Sequence, residues 1–281
     1  ELHTPNVKFS VKVDRQLYSE ENEYVRLDIF DSPELGRFLT IDGYIILTER
    51  DEFIYHEMLT HIPMAVHPNP EKILVFGAGD GGVVRELLKY PDVKKIDMVE
   101  VNEGVVEVSK KYLPFTASGL TDPRVTIYTE NCLRYIRHIE QEYDVIIVDS
   151  AGFYGPGESL LSREFYGSCY KALKEDGIMV NQHQSPFYDE DRLETQKAHK
   201  RIVESFPICR VYQAHIPSYP SGYWLFGFAS KKYHPVKDLK TKHWKNLDIE
   251  TRYYTTNLHK GCFALPAYVE QMLEDVENIP D

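Results

Sequence analysis

Ile73-Leu74-Val75-Phe76-Gly77-Ala78-Gly79-Asp80-Gly81-Gly82 decides the fold of this chain. Four apolar residues read as a buried strand and the next six as a tight glycine turn. Val83 to Lys89 then reads as a helix. Strand, glycine turn and helix form the first unit of a nucleotide-binding α/β sheet. Glycines let backbone approach a ligand closely, and a helix N-terminus offers unpaired N–H groups. The turn also carries an acid, Asp80. Its charge repels a phosphate and attracts an amine or a sulfonium, which favours S-adenosyl chemistry over a dinucleotide. Taken alone the pattern is weak, because glycine turns also join strands to helices without any ligand.

Working outward, Lys95-Ile96-Asp97-Met98-Val99-Glu100 is a second strand ending in an acid, twenty residues after Asp80. An acid there accepts hydrogen bonds from ribose hydroxyls, and a carboxylate offers only acceptors to a vicinal diol. Val125 to Tyr128 reads as a third strand. It runs into Thr129-Glu130-Asn131, where a polar side chain can meet an adenine edge. Tyr143 to Ser150 is a fourth strand, nearly all apolar, with Asp149 at its end. Ligands bind at the carboxyl ends of strands in such sheets. Asp80, Glu100, Asn131 and Asp149 all fall at or just beyond such ends, so their agreement carries more than any one of them.

The chain has 281 residues, 42% hydrophobic and 27% charged, enough to bury a full core. A net charge of −12 argues against nucleic acid or an anionic membrane surface as partner and suits a cationic substrate. No apolar run approaches the ~20 residues of a membrane span. The first residues lack a basic stretch followed by an apolar one, so no secretory signal is expected. Cys132, Cys169, Cys209 and Cys262 have no paired spacing, which predicts reduced thiols and a cytoplasmic protein. The eleven histidines show no HExxH-like cluster, so no metal site is expected.

Residues 1 to 60 read as a small antiparallel β domain. Val7 to Val13, Tyr24 to Phe30 and Arg37 to Ile41 alternate with period two, with turns at Ser32-Pro33 and Asp42-Gly43. Tyr55 to Val66 reads as a helix closed by His67-Pro68-Asn69-Pro70. Residues 61 to 281 read as the larger domain, with strands and helices alternating to about Ser230. Its fifth strand is Ile178 to Gln182, and helices lie at Phe165–Leu173 and Arg192–Phe206. Later strands fall near Arg210–Tyr212 and Leu225–Phe228. A polar tail follows, with one helix, Pro266 to Val276, expected on the outside.

Four segments together resemble the spermidine synthases. They are Thr48-Glu49-Arg50-Asp51-Glu52-Phe53-Ile54-Tyr55-His56-Glu57-Met58, Gly77-Ala78-Gly79-Asp80-Gly81-Gly82, Ala172-Leu173-Lys174-Glu175-Asp176-Gly177 and Tyr219-Pro220-Ser221-Gly222. The resemblance spans roughly residues 7 to 270. It implies a Rossmann-like S-adenosylmethionine-dependent transferase fold with a small N-terminal β domain. It implies aminopropyl transfer from decarboxylated S-adenosylmethionine to a small-molecule amine, and a homodimer or homotetramer. By the same resemblance Asp149 faces the attacking nitrogen, Tyr55 orients it and the Ser150 carbonyl assists. Gly77, Gly79, Gly81, His56 and Asp80 would frame the donor, with Asp80 on its amine. Glu100 would take the ribose, and Glu130 and Asn131 would lie at the adenine. Tyr219, Gln182, Gln184 and Gly152 would line the acceptor channel.

The chain departs from that family at one end of the pocket. Asp149-Ser150-Ala151-Gly152-Phe153-Tyr154-Gly155-Pro156 has Gly152 where the family has a second Asp. Gln182-His183-Gln184-Ser185-Pro186 has neutral Gln184 where an acid is frequent. Leu2-His3-Thr4 stands where an aromatic commonly closes the pocket, and Val25 replaces a Gln near the donor's tail. Losing one charged hydrogen bond costs ~1.5–3 kcal/mol, so putrescine should be a poorer acceptor here than in a standard member. Phe153, Tyr154, His3 and His183 would then offer contacts to a different far group. The competing reading is an ordinary spermidine synthase in which Asp189 or Glu158 compensates. Two other classes stay open. One uses S-adenosylmethionine itself for methyl or aminocarboxypropyl transfer, although no Arg or Lys stands in these motifs to meet its carboxylate. The other binds ligand without catalysis.

Overall fold

The computed structural model describes residues 2–4, 6–21, 25–149, 160, 162–274 and 276. The chain opens with β1 (Leu2–Thr4) and β2 (Val7–Lys8), a short antiparallel ribbon. A four-stranded antiparallel sheet follows in sequence order: β3 (Arg15–Glu21), β4 (Arg26–Ser32), β5 (Gly36–Ile41) and β6 (Tyr44–Thr48). Helix α1 (Glu52–Met64) leads into the larger unit. Its elements are β7 (Lys72–Gly77), α2 (Gly82–Leu87), β8 (Lys95–Val99), α3 (Glu103–Tyr112), α4 (Pro114–Ala117), β9 (Val125–Tyr128) and α5 (Cys132–Ile136). Then come β10 (Tyr143–Asp149), α6 (Arg163–Ala172), β11 (Leu173–Gln182), α7 (Asp189–Ser205), β12 (Ile208–His215) and β13 (Tyr223–Ser230). Helices α8 (Thr241–Asn246), α9 (Thr256–Gly261) and α10 (Ala267–Glu274) complete the described chain.

The large sheet has the order β12-β13-β11-β10-β7-β8-β9. Strands β7 to β11 run parallel, while β13 pairs antiparallel with both β11 and β12. Both faces are covered, which explains the nearly continuous apolar strands. Val75 and Ile147 pack on one face with Met58, Leu59 and Ile62 of α1. Leu74, Phe76, Ile146 and Val148 point the other way, onto Ile136, Phe165, Cys169 and Ile202. After β9 the chain returns to the opposite side of β7, so the strand order reverses between β7 and β10. Ligands bind at such a switch point. There the Ala78 N–H donates to the Asp149 carbonyl at 3.0 Å, fixing the two strand ends side by side.

Helix α1 is buried almost all round and yet carries Glu57 and His61. An unpaired buried charge costs on the order of several kcal/mol, and both side chains are paired. His61 Nε2 lies 3.0 Å from Glu86 Oε2, and its Nδ1 lies 2.8 Å from the Tyr90 hydroxyl. Glu57 accepts the N–H groups of Arg252, Tyr253 and Tyr254 at 2.7, 2.8 and 2.7 Å. That contact ties the tail down. Trp244, Tyr254 and Cys262 are buried in the same core as α1, so the tail is part of the core despite its polar composition. Helix α10 packs Val269 and Met272 against Val211 and Leu225 of the β12–β13 edge.

The N-terminal region differs in register from the sequence expectation. Pairing of the first run stops at Lys8, and strands β3 and β6 lie where the alternation is interrupted by charge or too short to read. Phe9, Val11 and Val13 remain 44%, 38% and 43% exposed. No described helix is long and apolar enough to cross a membrane.

Candidate active site

The carboxyl ends of β7, β8, β10 and β11 open onto a cavity of about 280 Å³. Strands β5 and β6 and the loop at Ile216–Pro220 close its other side. Hydrogen bonds to β6 and to Asp51 hold that loop. The Tyr219 hydroxyl donates to the Ile46 carbonyl at 2.6 Å, and the Ser218 N–H donates to Asp51 Oδ2 at 2.8 Å.

On one side of the cavity the glycine turn presents its backbone. Gly77 and Gly81 take φ of 78° and 86°, the left-handed region that glycine enters at no steric cost. A Cβ on Gly79 would stand 2.9 Å from Val105 Cγ1 of α3 and 3.2 Å from Glu100 Oε2 just beyond β8, so the turn passes too close to them for a side chain. Asp80 Oδ1 accepts the Gly82 N–H at 2.8 Å at the start of α2. Glu100 Oε1 accepts the Asn102 N–H at 2.8 Å. Burial, and then the Asp80 charge, push the Glu100 carboxyl above its ordinary value. Asn131 lines the cavity while its Oδ1 caps α5 by accepting the Arg134 N–H at 3.0 Å. Gly77, Gly79, Asp80, Glu100 and Asn131 therefore share one cavity wall. Gly81 caps α2 and Glu130 pairs with Arg134 at 3.3 Å; neither is among the described cavity-lining residues.

The next group lies across the switch point. The Tyr55 hydroxyl donates to Asp149 Oδ1 at 2.6 Å. Asp149 Oδ2 is buried with no hydrogen-bond partner among the described residues. Burial and then the nearby Asp80 charge push the Asp149 carboxyl up to about 7, against the opposing pull of His56 and Tyr55. A carboxyl in that range binds an ammonium and takes its proton near neutral pH. The Tyr55 phenol stays protonated because burial and the Asp149 charge raise it well above its ordinary range. Tyr219 packs 6.1 Å from the Tyr55 ring and 4.8 Å from that of Trp224.

Behind Asp80 runs a buried chain of alternating charge that the sequence reading did not assemble. Arg85 Nη1 and Nη2 donate to Glu52 Oε1 and Oε2 at 2.9 and 3.0 Å. Glu52 Oε2 lies 2.5 Å from His56 Nδ1, and His56 Nε2 lies 3.2 Å from Asp80 Oδ1. Burial alone would lower His56, but the Asp80 and Glu52 carboxylates hold it up to about 10. The imidazolium in turn keeps Asp80 below its ordinary value in spite of burial. His56, Asp80 and Asp149 bring ligand atoms within 4.8 Å of one another, a grouping that can hold a metal ion. Both ring nitrogens of the imidazolium are spent on carboxylates, so His56 has no lone pair to give one. The usable signal was the i,i+4 spacing of Glu52 and His56. It was lost because the sequence reading starts the helix at Tyr55, whereas α1 starts at Glu52.

At the β11 end of the cavity Gln182 and Gln184 line the wall together with Asp191 of α7. Asp189, the compensating acid weighed from sequence, is 87% exposed and pairs with Arg192 at 2.9 Å. His183 is fully buried beside Asn181 and His199 rather than in the cavity. Burial lowers it to about 3, so it is a neutral core histidine. Ser150, Gly152, Phe153, Tyr154 and Glu158 lie outside the described residues.

A spermine/spermidine synthase domain matches residues 52–241 of this chain, and a spermidine synthase tetramerisation domain matches residues 1–49. This chain belongs to the spermine/spermidine synthase family. It is 59% identical over 278 residues to a polyamine aminopropyltransferase of Alkaliphilus oremlandii, covering 99% of this chain and 98% of that one. A polyamine aminopropyltransferase of Clostridium perfringens is 58% identical over 278 residues, with the same coverage. Among solved structures, a spermidine synthase in complex with the transition state analogue AdoDATO superposes with a TM-score of 0.91. It is 43% identical, covering 94% of this chain and 90% of that one. Spermidine synthase from Thermotoga maritima gives 0.88 at 43% identity, covering 94% and 89%. As a member of the spermidine synthase family the chain is a transferase. Its fold is that family's α/β sheet with a small N-terminal antiparallel sheet.

Proposed function

We propose that this site moves an aminopropyl group from decarboxylated S-adenosylmethionine onto a primary amine. The amine nitrogen attacks the carbon beside the sulfonium. The carbon–sulfur bond breaks and its electron pair returns to sulfur, leaving neutral methylthioadenosine. The proton released from nitrogen goes to Asp149.

The charge of the cavity carries this reading. Asp42, Asp51, Glu52, Asp80, Glu100, Asp149 and Asp191 are all among its lining residues, and no Lys or Arg is among the described ones. A donor that kept its carboxylate would enter like-charged surroundings whose one described cation, the His56 imidazolium, is already engaged by Glu52 and Asp80. The aminopropyl arm without the carboxylate brings an ammonium instead, and Asp80 stands ready for it. This disfavours transfer from S-adenosylmethionine itself. A site built only for binding would not need the Asp149 carboxyl held near 7 beside a phenol at 2.6 Å.

Within the reading, Asp149 binds the attacking ammonium through its free Oδ2 and accepts the proton, while Tyr55 fixes the carboxyl through Oδ1. A free alkylamine has a pKa near ~10, so this proton must be removed before attack. Glu100 takes the ribose diol and Asn131 the adenine edge. Tyr219 and Trp224 exclude water from the reacting centre. The homo-oligomer is a tetramer in this proposal. Phe9, Val11 and Val13, exposed within the N-terminal match, supply apolar surface for its contacts. Four free cysteines fit a reducing, cytoplasmic setting.

The test pairs each donor with 1,4-diaminobutane and follows products by mass spectrometry. Decarboxylated donor should yield methylthioadenosine and an amine heavier by one aminopropyl group. Turnover only with intact S-adenosylmethionine would sink the proposal.

A further inference from the structure

The Glu52 carboxylate lines the cavity, yet both of its oxygens are engaged. Oε1 and Oε2 accept the Arg85 fork at 2.9 and 3.0 Å, and Oε2 also lies 2.5 Å from His56 Nδ1. Glu52 therefore acts on the site through its neighbours. Arg85 is itself held, donating to Glu86 Oε1 at 3.0 Å and to the Phe115 carbonyl at 2.7 Å. The His56 ring is buried and lies so close to Gly82 that a Cβ there would collide with it. The ring is thus clamped between α1 and the start of α2.

Its other nitrogen, Nε2, lies 3.2 Å from Asp80 Oδ1. An imidazole nitrogen attracts a carboxylate only when it carries a proton, so two carboxylates on two ring nitrogens are both satisfied only by the imidazolium. Among the described residues, the charged and titratable groups around the ring are Glu52 and Tyr55 of α1, Asp80 of the turn, Arg85 of α2 and Asp149 of β10. Arg85, Glu52, His56 and Asp80 balance to zero charge in that state. Without the Glu52 charge this buried chain carries an excess positive charge, which favours loss of the His56 proton. A neutral ring with Nδ1–H on a glutamine at position 52 turns its Nε2 lone pair onto Asp80 and repels the carboxylate.

We infer that Glu52 is a positioning residue for the donor: it fixes the His56 ring with Nε2–H on Asp80, and so keeps the Asp80 carboxylate in place for the ammonium of the aminopropyl arm. This rests on the aminopropyl-transfer reading of the same site. The same imidazolium draws Asp149 down against burial, Asp80 and Glu100, so its loss reaches the proton acceptor as well.

Full-length Glu52→Gln is compared with the parent. Methylthioadenosine lacks the aminopropyl arm, and its calorimetric affinity should stay within about threefold, while KM of decarboxylated S-adenosylmethionine rises about tenfold. The acid limb of kcat/KM for that donor, taken at saturating amine, should move about one unit to higher pH. Neither a KM nor a pH midpoint depends on the fraction of enzyme folded, so a loss of stability does not mimic these shifts. A donor KM within about threefold of the parent's, an unmoved pH midpoint, or equal weakening of donor and methylthioadenosine overturns the assignment. The parent alone supplies a further check. In NMR of enzyme carrying isotope-labelled histidine, with the signal assigned by its absence in His56→Gln, both ring nitrogens of His56 should carry protons near neutral pH. A singly protonated His56 overturns the assignment even where Glu52→Gln does not fold. A parent that transfers no aminopropyl group from this donor overturns the underlying reading. A parent that transfers it while Glu52→Gln is unchanged overturns the role of Glu52 alone.

Discussion

The Tyr55 hydroxyl donates to Asp149 Oδ1 at 2.6 Å, although the two residues are 94 positions apart in the chain. One carboxylate oxygen is thereby committed to orientation, and Oδ2 stays buried without a partner among the described residues. A helix buried on the sheet and a strand end at the switch point have to meet for this to happen. The pair is the point at which fold becomes chemistry.

Asp149→Asn keeps the shape and the Tyr55 contact but removes the proton acceptor. Loss of a general base typically lowers turnover ~10²–10⁴-fold. The expected result is that loss in kcat, with calorimetric affinity for methylthioadenosine unchanged. Turnover within a few-fold of the parent on the best acceptor would remove Asp149 from the proposed role.

Glu100→Gln acts on the other substrate. The ribose diol belongs equally to the donor and to methylthioadenosine, so both should bind more weakly, about tenfold for one charged hydrogen bond. The effect should appear mainly in KM of the donor. An unaltered calorimetric affinity for methylthioadenosine would place Glu100 outside the ribose site.

The cavity wall that the proposal gives to the donor was legible in sequence because its signals are local. A strand ending in glycine needs a tight turn, and an acid at a strand end lies at the sheet's carboxyl edge wherever the strand pairs. Gly77, Gly79, Asp80, Glu100 and Asn131 follow from that alone. The acceptor side was not legible in the same way. Asp189 and Asp191 are alike in composition and neighbourhood, and only the phase of α7 against β11 sends one to solvent and the other to the cavity. His183 looked available for the same reason and proved to be core, because β11 alternates and its odd side faces α7. Composition understates how far the polar tail joins the core: Trp244, Tyr254 and Cys262 are few, but each is buried.

The chain Arg85–Glu52–His56–Asp80 predicts a pH-dependent stability. Its histidine is raised from 6.5 to about 10 in the folded protein. A raised histidine stabilises fully below its unfolded pKa, so this contribution should be lost as pH climbs from about 6.5 through about 10. Glu52→Gln strips one carboxylate from His56 and one of two from the Arg85 guanidinium, which keeps Glu86 Oε1 at 3.0 Å. Breaking such a buried pair costs up to about 3–5 kcal/mol. Urea unfolding at pH 7 should show that loss, and the decline toward pH 10 should flatten. Gly82→Ala attacks the same chain sterically, since its Cβ would stand 2.3 Å from the His56 ring. An unchanged urea midpoint in Glu52→Gln would show that the four groups do not act together.

Asp149 should show the opposite trade between stability and activity. Its carboxyl is raised from 3.8 to about 7 by burial and by Asp80. The folded protein therefore holds a proton there that the unfolded chain releases, and stability falls as pH rises from about 3.8 through about 7. At ~1.36 kcal/mol per unit, the burden of the charged form at pH 8 is up to about 4 kcal/mol. Activity needs that charged form, so kcat/KM for the amine should rise with pH through about 7 while stability declines. Asp149→Asn removes the burden and the activity together. It should melt several degrees above the parent at pH 8 and close to it at pH 4. Parallel melting curves at the two pH values decide the matter. An Asn variant no more stable than the parent at pH 8 would mean that the Asp149 carboxylate is already compensated in the resting enzyme and is not held poised for an incoming cation.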